Sequence, residues 1–269
     1  MNFSIIYNPI ATKFSQAALD HLIFKFVERG LTLNAVIKSE YAGHVIPLIK
    51  NLGGDGGLAN NFNLFRHNPI KSIDKLATKG VETMMDSIIV NGEPVAYVSA
   101  FCYVAPIPFL VNTKLKKKLG HAAYVVSALP VIARKPEYVK ITYTANGETH
   151  SIKTCLALIT TSKGMGGITL YQHANQNDGK FEVFFLKKLS PAIIPPVFAQ
   201  YCLDKVNLAD YVQYADVFST DELTIRFDGI LPKYAVDNDG NKAGFDLSLH
   251  DNVLHYTMGK KIKILMPEY

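Results

Sequence analysis

Near the start of the chain the spacing of apolar residues changes with each segment. FSIIYNP (3–9) opens with a short run apolar on both parities and stops at Asn8-Pro9. That is the pattern of a buried parallel-type strand entering a loop. From 15 to 30 the period becomes helical: Leu19, Leu22, Ile23, Phe26 and Val27 form one stripe, with Ser15 placed as N-cap and Gly30 as the stop. LTLNAVI (31–37) returns to a strand pattern. AGHVIPLIKNL (42–52) starts another helix, with Pro47 in its first turns. A β-α-β-α opening begins a doubly wound α/β domain.

Beyond residue 80 the pattern shortens. DSIIVNGEPVAYVSAF (86–101) is two strand-like runs around Asn-Gly-Glu, and EYVKITYTANGETHSIKTCLALITT (137–161) reads as a hairpin turning at Asn146-Gly147. LKKKLGHAAYVVSALPVIARK (115–135) is the one long helical stretch, and further strands are predicted at 180–186, 222–228, 245–249 and 260–265. Strands punctuated by NG and DG turns predict an antiparallel sandwich or barrel. The expected boundary lies near 75–86. Residues 94–111 carry no charge over eighteen positions, near the lower limit for a spanning helix. Pro106 and Pro108 would break such a helix, so the stretch reads as a buried strand followed by irregular chain.

Composition supports a folded protein. Of 269 residues, 48% are hydrophobic and 19% charged, which excludes a disordered chain. The net charge of +5 allows an anionic partner without demanding one. Cys102, Cys155 and Cys202 are far apart and odd in number, as expected of reduced thiols and not of a disulfide framework or zinc site. No signal-peptide pattern opens the chain, and a cytoplasmic location is expected.

The candidate chemistry sits in turns. LGGDGGLANNF (52–62) carries four glycines and Asp55. Alone it is weak evidence, since glycine-rich stretches are mostly ordinary turns and only a minority are phosphate cradles. Its place after a β-α-β-α opening favours the cradle, because open α/β sheets bind ligands at loops on the carboxyl edge. Asp55 could hold a metal or a substrate hydroxyl, or simply cap the turn. GxxxxGK[ST] is absent, as is GxGxxG between a strand and a helix. DNDGNKAG (237–244) fails as an EF-hand, since its glycine is misplaced and no Glu closes the loop. Asp178-Gly179 in HANQNDGKFEV (173–183) precedes a strand. Lys114, Lys116, Lys117 and Lys118 form either a solvated face or a contact for anionic lipid headgroups.

Taken in order, these fragments resemble the lipid kinases with a diacylglycerol-kinase catalytic domain, a family that includes bacterial diacylglycerol kinases and sphingosine and ceramide kinases. YNP (7–9) is similar to the family's first strand and loop, and SEYAGHV (39–45) to its Thr- and His-containing stretch. GGDG (53–56) is similar to its GGDGT nucleotide loop, and GLANNF (57–62) to its GTxNDF segment. YVSAFCYV (97–104), KKKLGHAAY (116–124) and GGITLYQHANQNDGKFEV (166–183) resemble its second domain, and DNDGN (237–241) sits where the family has DGE.

The resemblance implies α/β plus β: a shortened Rossmann-like nucleotide domain at 1–82 plus 259–269, and an antiparallel β-sandwich lipid domain at 83–258. It implies transfer of the γ-phosphoryl group of ATP to a lipid hydroxyl, with ATP and magnesium as cofactors and a protein peripheral at the membrane. Gly53, Gly54, Gly56 and Gly57 would cradle phosphate, Asn8 and Asn60 would line the nucleotide side, and Asp178 would help hold a structural magnesium ion. Asp55, Asp239 and Asn241 are the catalytic candidates. The expected partner is lipid at the bilayer surface, with no nucleic acid; a homodimer is left open.

Two departures from the family pattern bear on activity. GGDGG runs straight into LANNF, where the family separates the two motifs by a helix and a strand. The stretch therefore reads as two phosphate-loop motifs joined across lost sequence. Asn241 replaces the DGE glutamate, the family's proposed general base, and an amide offers no proton affinity at neutral pH. Asp239 or Asp237 would have to substitute. Two other readings are thereby open: an impaired homologue that binds lipid, and an NAD-kinase-like enzyme, since that group shares the GGDG loop.

Overall fold

The computed structural model describes residues 2–7, 9, 15–40, 78–95, 98–102, 137–165, 168–169, 171, 174–187, 200, 207–229, 236–238 and 251–267. The helices expected at 42–52 and 115–135 and the strand expected at 245–249 lie outside them. In chain order the elements begin with β1 (Asn2–Tyr7), α1 (Gln16–Glu28), β2 (Thr32–Lys38) and β3 (Gly80–Met85). There follow β4 (Ile88–Val90), β5 (Glu93–Val95), β6 (Val98–Cys102), β7 (Val139–Ala145), β8 (Glu148–Thr154) and β9 (Leu156–Thr160). The rest are β10 (Gly164–Met165), β11 (Ile168–Thr169), β12 (Phe181–Leu186), β13 (Ala215–Thr220), β14 (Glu222–Asp228), β15 (Val236–Asn238), β16 (Val253–Met258) and β17 (Ile262–Pro267). The chain divides into two compact units, Met1–Met85 with Ile262–Tyr269, and Asp86–Lys261.

In the first unit, β1 and β2 pair in parallel, joined by α1. The Ser15 hydroxyl accepts the Ala18 N–H at 3.4 Å, as its N-cap position requires. At the other end Leu31 N–H reaches Phe26 O and Gly30 N–H reaches Val27 O, with Gly30 at φ +81°. These are the two bonds of a Schellman motif, and the left-handed backbone at its C′ position suits glycine. Leu19 and Phe26 are the buried residues of the helix. β3 pairs antiparallel with β17, from Met85–Ile262 to Gly80–Pro267.

In the second unit, six strands lie in the order β5-β4-β16-β14-β7-β8 and five in the order β13-β12-β9-β6-β15. Among the described residues, the strands of both sheets pair antiparallel. Both Asn-Gly turns take positive φ at both residues, +46° and +85° at Asn91-Gly92 and +51° and +79° at Asn146-Gly147. This is the geometry that matches the strand twist of two-residue hairpins.

The segment expected to be one hairpin over 137–161 divides at Cys155. β8 closes the hairpin in the six-stranded sheet, and β9 begins one residue later in the five-stranded sheet. Thr154 Oγ1 secures the crossing by donating to Leu156 O at 2.8 Å and Leu186 O at 3.0 Å.

Alternation then builds the core. On β14 Leu223, Ile225 and Phe227 face inward, and they meet Phe101, Ile159, Val183 and Phe185 from the other sheet. Phe101 meets Phe227 edge-on at 5.1 Å between ring centroids, and Tyr143 meets Phe185 at 4.9 Å. A second apolar cluster, with Leu158, Phe184, Leu186, Tyr171 and Leu208, covers the outer face of the five-stranded sheet. That is why β12 is apolar on both parities and reads as a continuous run.

Candidate functional site

Asn8, Gly53, Gly54, Asp55, Gly56, Gly57, Asn60, Asp239 and Asn241 all lie outside the described residues. What is described is the structure that leads into three of their segments.

β1 ends at Tyr7 and β2 at Lys38, side by side and in parallel, so both carboxyl ends fall at one edge of the pair. Ser39 N–H donates to Tyr7 O at 2.8 Å, which extends the ladder past the strands, and Ser39 is buried. Asn8 is the next residue after Tyr7. The Asn-Pro loop and the segment beginning at Ser39 therefore leave from the edge where open α/β sheets bind ligands.

The segment carrying Asp239 and Asn241 is held at its start by β15, which pairs with β6 at Val236–Phe101, Asp237–Ala100 and Asn238–Ser99. Ser99 Oγ donates to Asn238 Oδ1 at 2.6 Å and lies 3.1 Å from the Tyr256 hydroxyl. Ser99 and Tyr256 are fully buried. This polar knot at the sandwich core fixes the residue one before Asp239. Neither Ser99 nor Tyr256 was singled out by sequence. Their only signal is a serine inside the apolar run YVSAF.

Asp178 is exposed and sits in the turn before β12. Its Oδ1 accepts the Lys180 N–H at 3.1 Å, and Gly179 takes φ +75°. Glu182 lies close enough to feel its charge. Burial pushes the Glu182 carboxyl up, opposed by the Ser219 hydroxyl bond at 2.6 Å, reinforced by Asp178 and opposed by Lys180. Magnesium is usually bound through one or two carboxylates while keeping several waters. Asp178, exposed and with the Glu182 carboxylate near enough to feel its charge, is of the donor type such a partly hydrated ion takes. Among the described residues no group of three or more His, Cys, Asp or Glu could hold a metal.

The fold defined here is an α/β unit through which the chain passes twice, with an antiparallel sandwich inserted between β3 and β17. No protein-family model matches the sequence, and no curated protein matches it. Solved structures do. A crystal structure from Bacillus anthracis str. Sterne, provisionally named a diacylglycerol kinase, superposes with a TM-score of 0.67 at 15% identity, over 96% of this chain and 93% of that one. A second from the same strain, named a diacylglycerol kinase, gives 0.62 at 14% identity over 99% and 96%. A third, again provisionally so named, gives 0.60 at 15% identity over 96% and 94%. At such identity the likeness is one of fold, and this chain has the fold of those proteins.

Proposed function

We propose that this chain is an ATP-dependent lipid kinase that phosphorylates a lipid hydroxyl such as that of diacylglycerol. The observation that carries the reading is the fold likeness, at a TM-score of 0.67 over 96% of the chain, to a protein provisionally named for that activity. GGDG at 53–56 adds the loop chemistry the reaction needs.

In the reaction the lipid oxygen bonds to the γ-phosphorus, the bond from that phosphorus to the β–γ bridging oxygen breaks, and ADP leaves. Catalysis rests on positioning and on neutralising charge. Gly53, Gly54, Gly56 and Gly57 let backbone N–H groups approach the phosphates. Asn8 and Asn60 line the nucleotide side, and Asp55 orients a hydroxyl. Magnesium, when bound with ATP, neutralises phosphate charge, and a structural magnesium belongs at Asp178. The proton of the lipid hydroxyl passes to a carboxylate of the 237–241 segment, Asp239 being the candidate there.

Among the described residues no helix is long and apolar enough to cross a membrane. In this reading the lipid substrate is reached at the bilayer surface, with Lys114, Lys116, Lys117 and Lys118 toward anionic headgroups.

The test is transfer of label from [γ-³²P]ATP into vesicles containing diacylglycerol. Labelled phosphatidic acid is expected, and its absence at high enzyme and ATP removes the proposal. A second reading is favoured by Asn241, an amide where the resemblance places a glutamate. Under it the chain binds diacylglycerol vesicles in flotation but transfers no label.

A further inference from the structure

Just past the β4–β16 ladder lie the first and last residues of the second unit, Asp86 and Lys261. Ile88 pairs with Met258, and Met85 pairs with Ile262. Between these pairs one side holds Asp86 and Ser87, and the other holds Gly259, Lys260 and Lys261. Gly259 N–H donates to Ser87 O at 2.8 Å, and the Ser87 hydroxyl donates to Lys260 O at 2.7 Å. Lys261 meets Asp86.

Asp86 is only 1% exposed. Its backbone and side chain gather the loop before β12: Asp86 N–H donates to Gln176 O at 2.8 Å, and Asp86 Oδ2 accepts the Gly179 N–H at 2.8 Å. The other oxygen, Oδ1, is buried and accepts no hydrogen bond. It faces the Lys261 ammonium at 3.4 Å. That ammonium also donates to Asn177 O at 3.3 Å and to Asn177 Oδ1. A carboxylate oxygen, a backbone carbonyl and a side-chain amide oxygen thus converge on one positive charge. These are the donor types that hard cations take. An ammonium has three protons for them, and a buried carboxylate requires a counter-charge.

We infer that the Lys261 ammonium is a built-in cation for the 174–180 loop, and that Asp86 Oδ1, Asn177 O and Asn177 Oδ1 form a latent divalent-cation site that opens when the ammonium is removed. The built-in ion ties three places in the chain together: the point where it enters the second unit, the point where it leaves, and the turn before β12. Unlike a bound metal, it cannot dissociate. Asp178 lies on the same turn but bonds to Lys180, outside this set.

The test is made in an Asp178→Asn background, so that any ion at Asp178 is out of the measurement. In chelator, adding Lys261→Met lowers Tm by roughly 5 °C, since it leaves a buried carboxylate uncompensated. Millimolar calcium chloride restores that loss, and titration calorimetry shows one calcium bound that the Lys261-containing parent does not bind. Adding Asp86→Asn abolishes that calcium binding. Lys261→Arg keeps the charge, holds the parental Tm within about 2 °C and binds no calcium. If Lys261→Met folds only with calcium present, the proposal stands on that rescue. Three results overturn it: an unchanged Tm for Lys261→Met in chelator, a loss that calcium does not restore, or equal calcium binding by the parent.

Discussion

Gly259 and Ser87 touch so closely that a Cβ at 259 would lie 2.4 Å from the Ser87 hydroxyl oxygen. That hydroxyl cannot simply turn away, because it donates to Lys260 O at 2.7 Å. Gly259→Ala is therefore expected to destabilise by about 1–3 kcal/mol, the range for overpacking plus a lost hydrogen bond. In a double-mutant cycle, Ser87→Ala relieves the clash, so the pair costs less than the sum of the two single changes. Chemical denaturation of the four proteins measures this; additive costs would show that the two side chains do not compete for the space.

Asn241→Glu is predicted to raise lipid kinase activity at least about tenfold, a cautious fraction of the 10²–10⁴ that general bases contribute. The gain should lie in kcat, since a base acts in the transition state and little in binding. Steady-state kinetics with diacylglycerol vesicles decide it. Unchanged activity in a variant that still binds ATP would mean that another group already takes the proton.

A structural magnesium at Asp178 predicts that millimolar magnesium raises Tm by about 5 °C over chelator, by linkage to binding. Asp178→Asn should abolish the rise while its amide oxygen still accepts the Lys180 N–H. Thermal melts with and without chelator test this, and a flat response in the parent protein removes the site.

The β8–β9 crossing has a pH signature. Cys155 is 1% exposed, and its thiol donates to Leu186 O at 3.7 Å. Burial pushes this thiol up, against smaller downward pulls from its own backbone and from Tyr138. A raised pKa in the fold means that the unfolded chain gives up this proton first. Stability is unaffected below the ordinary thiol range and falls as pH rises through it. Cys155→Ala should remove that part of the alkaline decline. Iodoacetamide should label Cys155 on the order of 10²-fold more slowly in the native protein than in denaturant, because attack requires local opening. Peptide mapping of the labelled protein reads this out, and equal labelling rates would contradict it.

The parts of the fold that could be read from sequence are those set by local chemistry. Ser15, Gly30 and the two Asn-Gly turns each act within a few residues, and each does in the structure what its residue type dictates. The end of the 137–161 hairpin could not be read, because β8 and β9 form one unbroken strand-like pattern. The switch between sheets rests on Leu186, over thirty residues away. The polar knot was hidden for the same reason: Ser99 meets Asn238 and Tyr256 across 139 and 157 residues. The local sequence singles out neither Asp86 nor Lys261, which meet only because the fold brings the two ends of the second unit together. In the candidate nucleotide loop the motif residues were legible as types, while their placement lies outside the described residues.

The pairing of β3 with β17 has a consequence for biosynthesis. β3 ends at Met85, and its partner ends at Pro267. A ribosome adding roughly 5–20 residues per second leaves β3 without that partner for about 10–40 s. During that time the sandwich strands are made and can pair among themselves, since their partners all lie between residues 86 and 261. The β3–β17 pair can form only afterwards, and the β3 groups that bond to β17 stay open meanwhile. A chaperone that binds extended segments has its natural window on β3 during that interval.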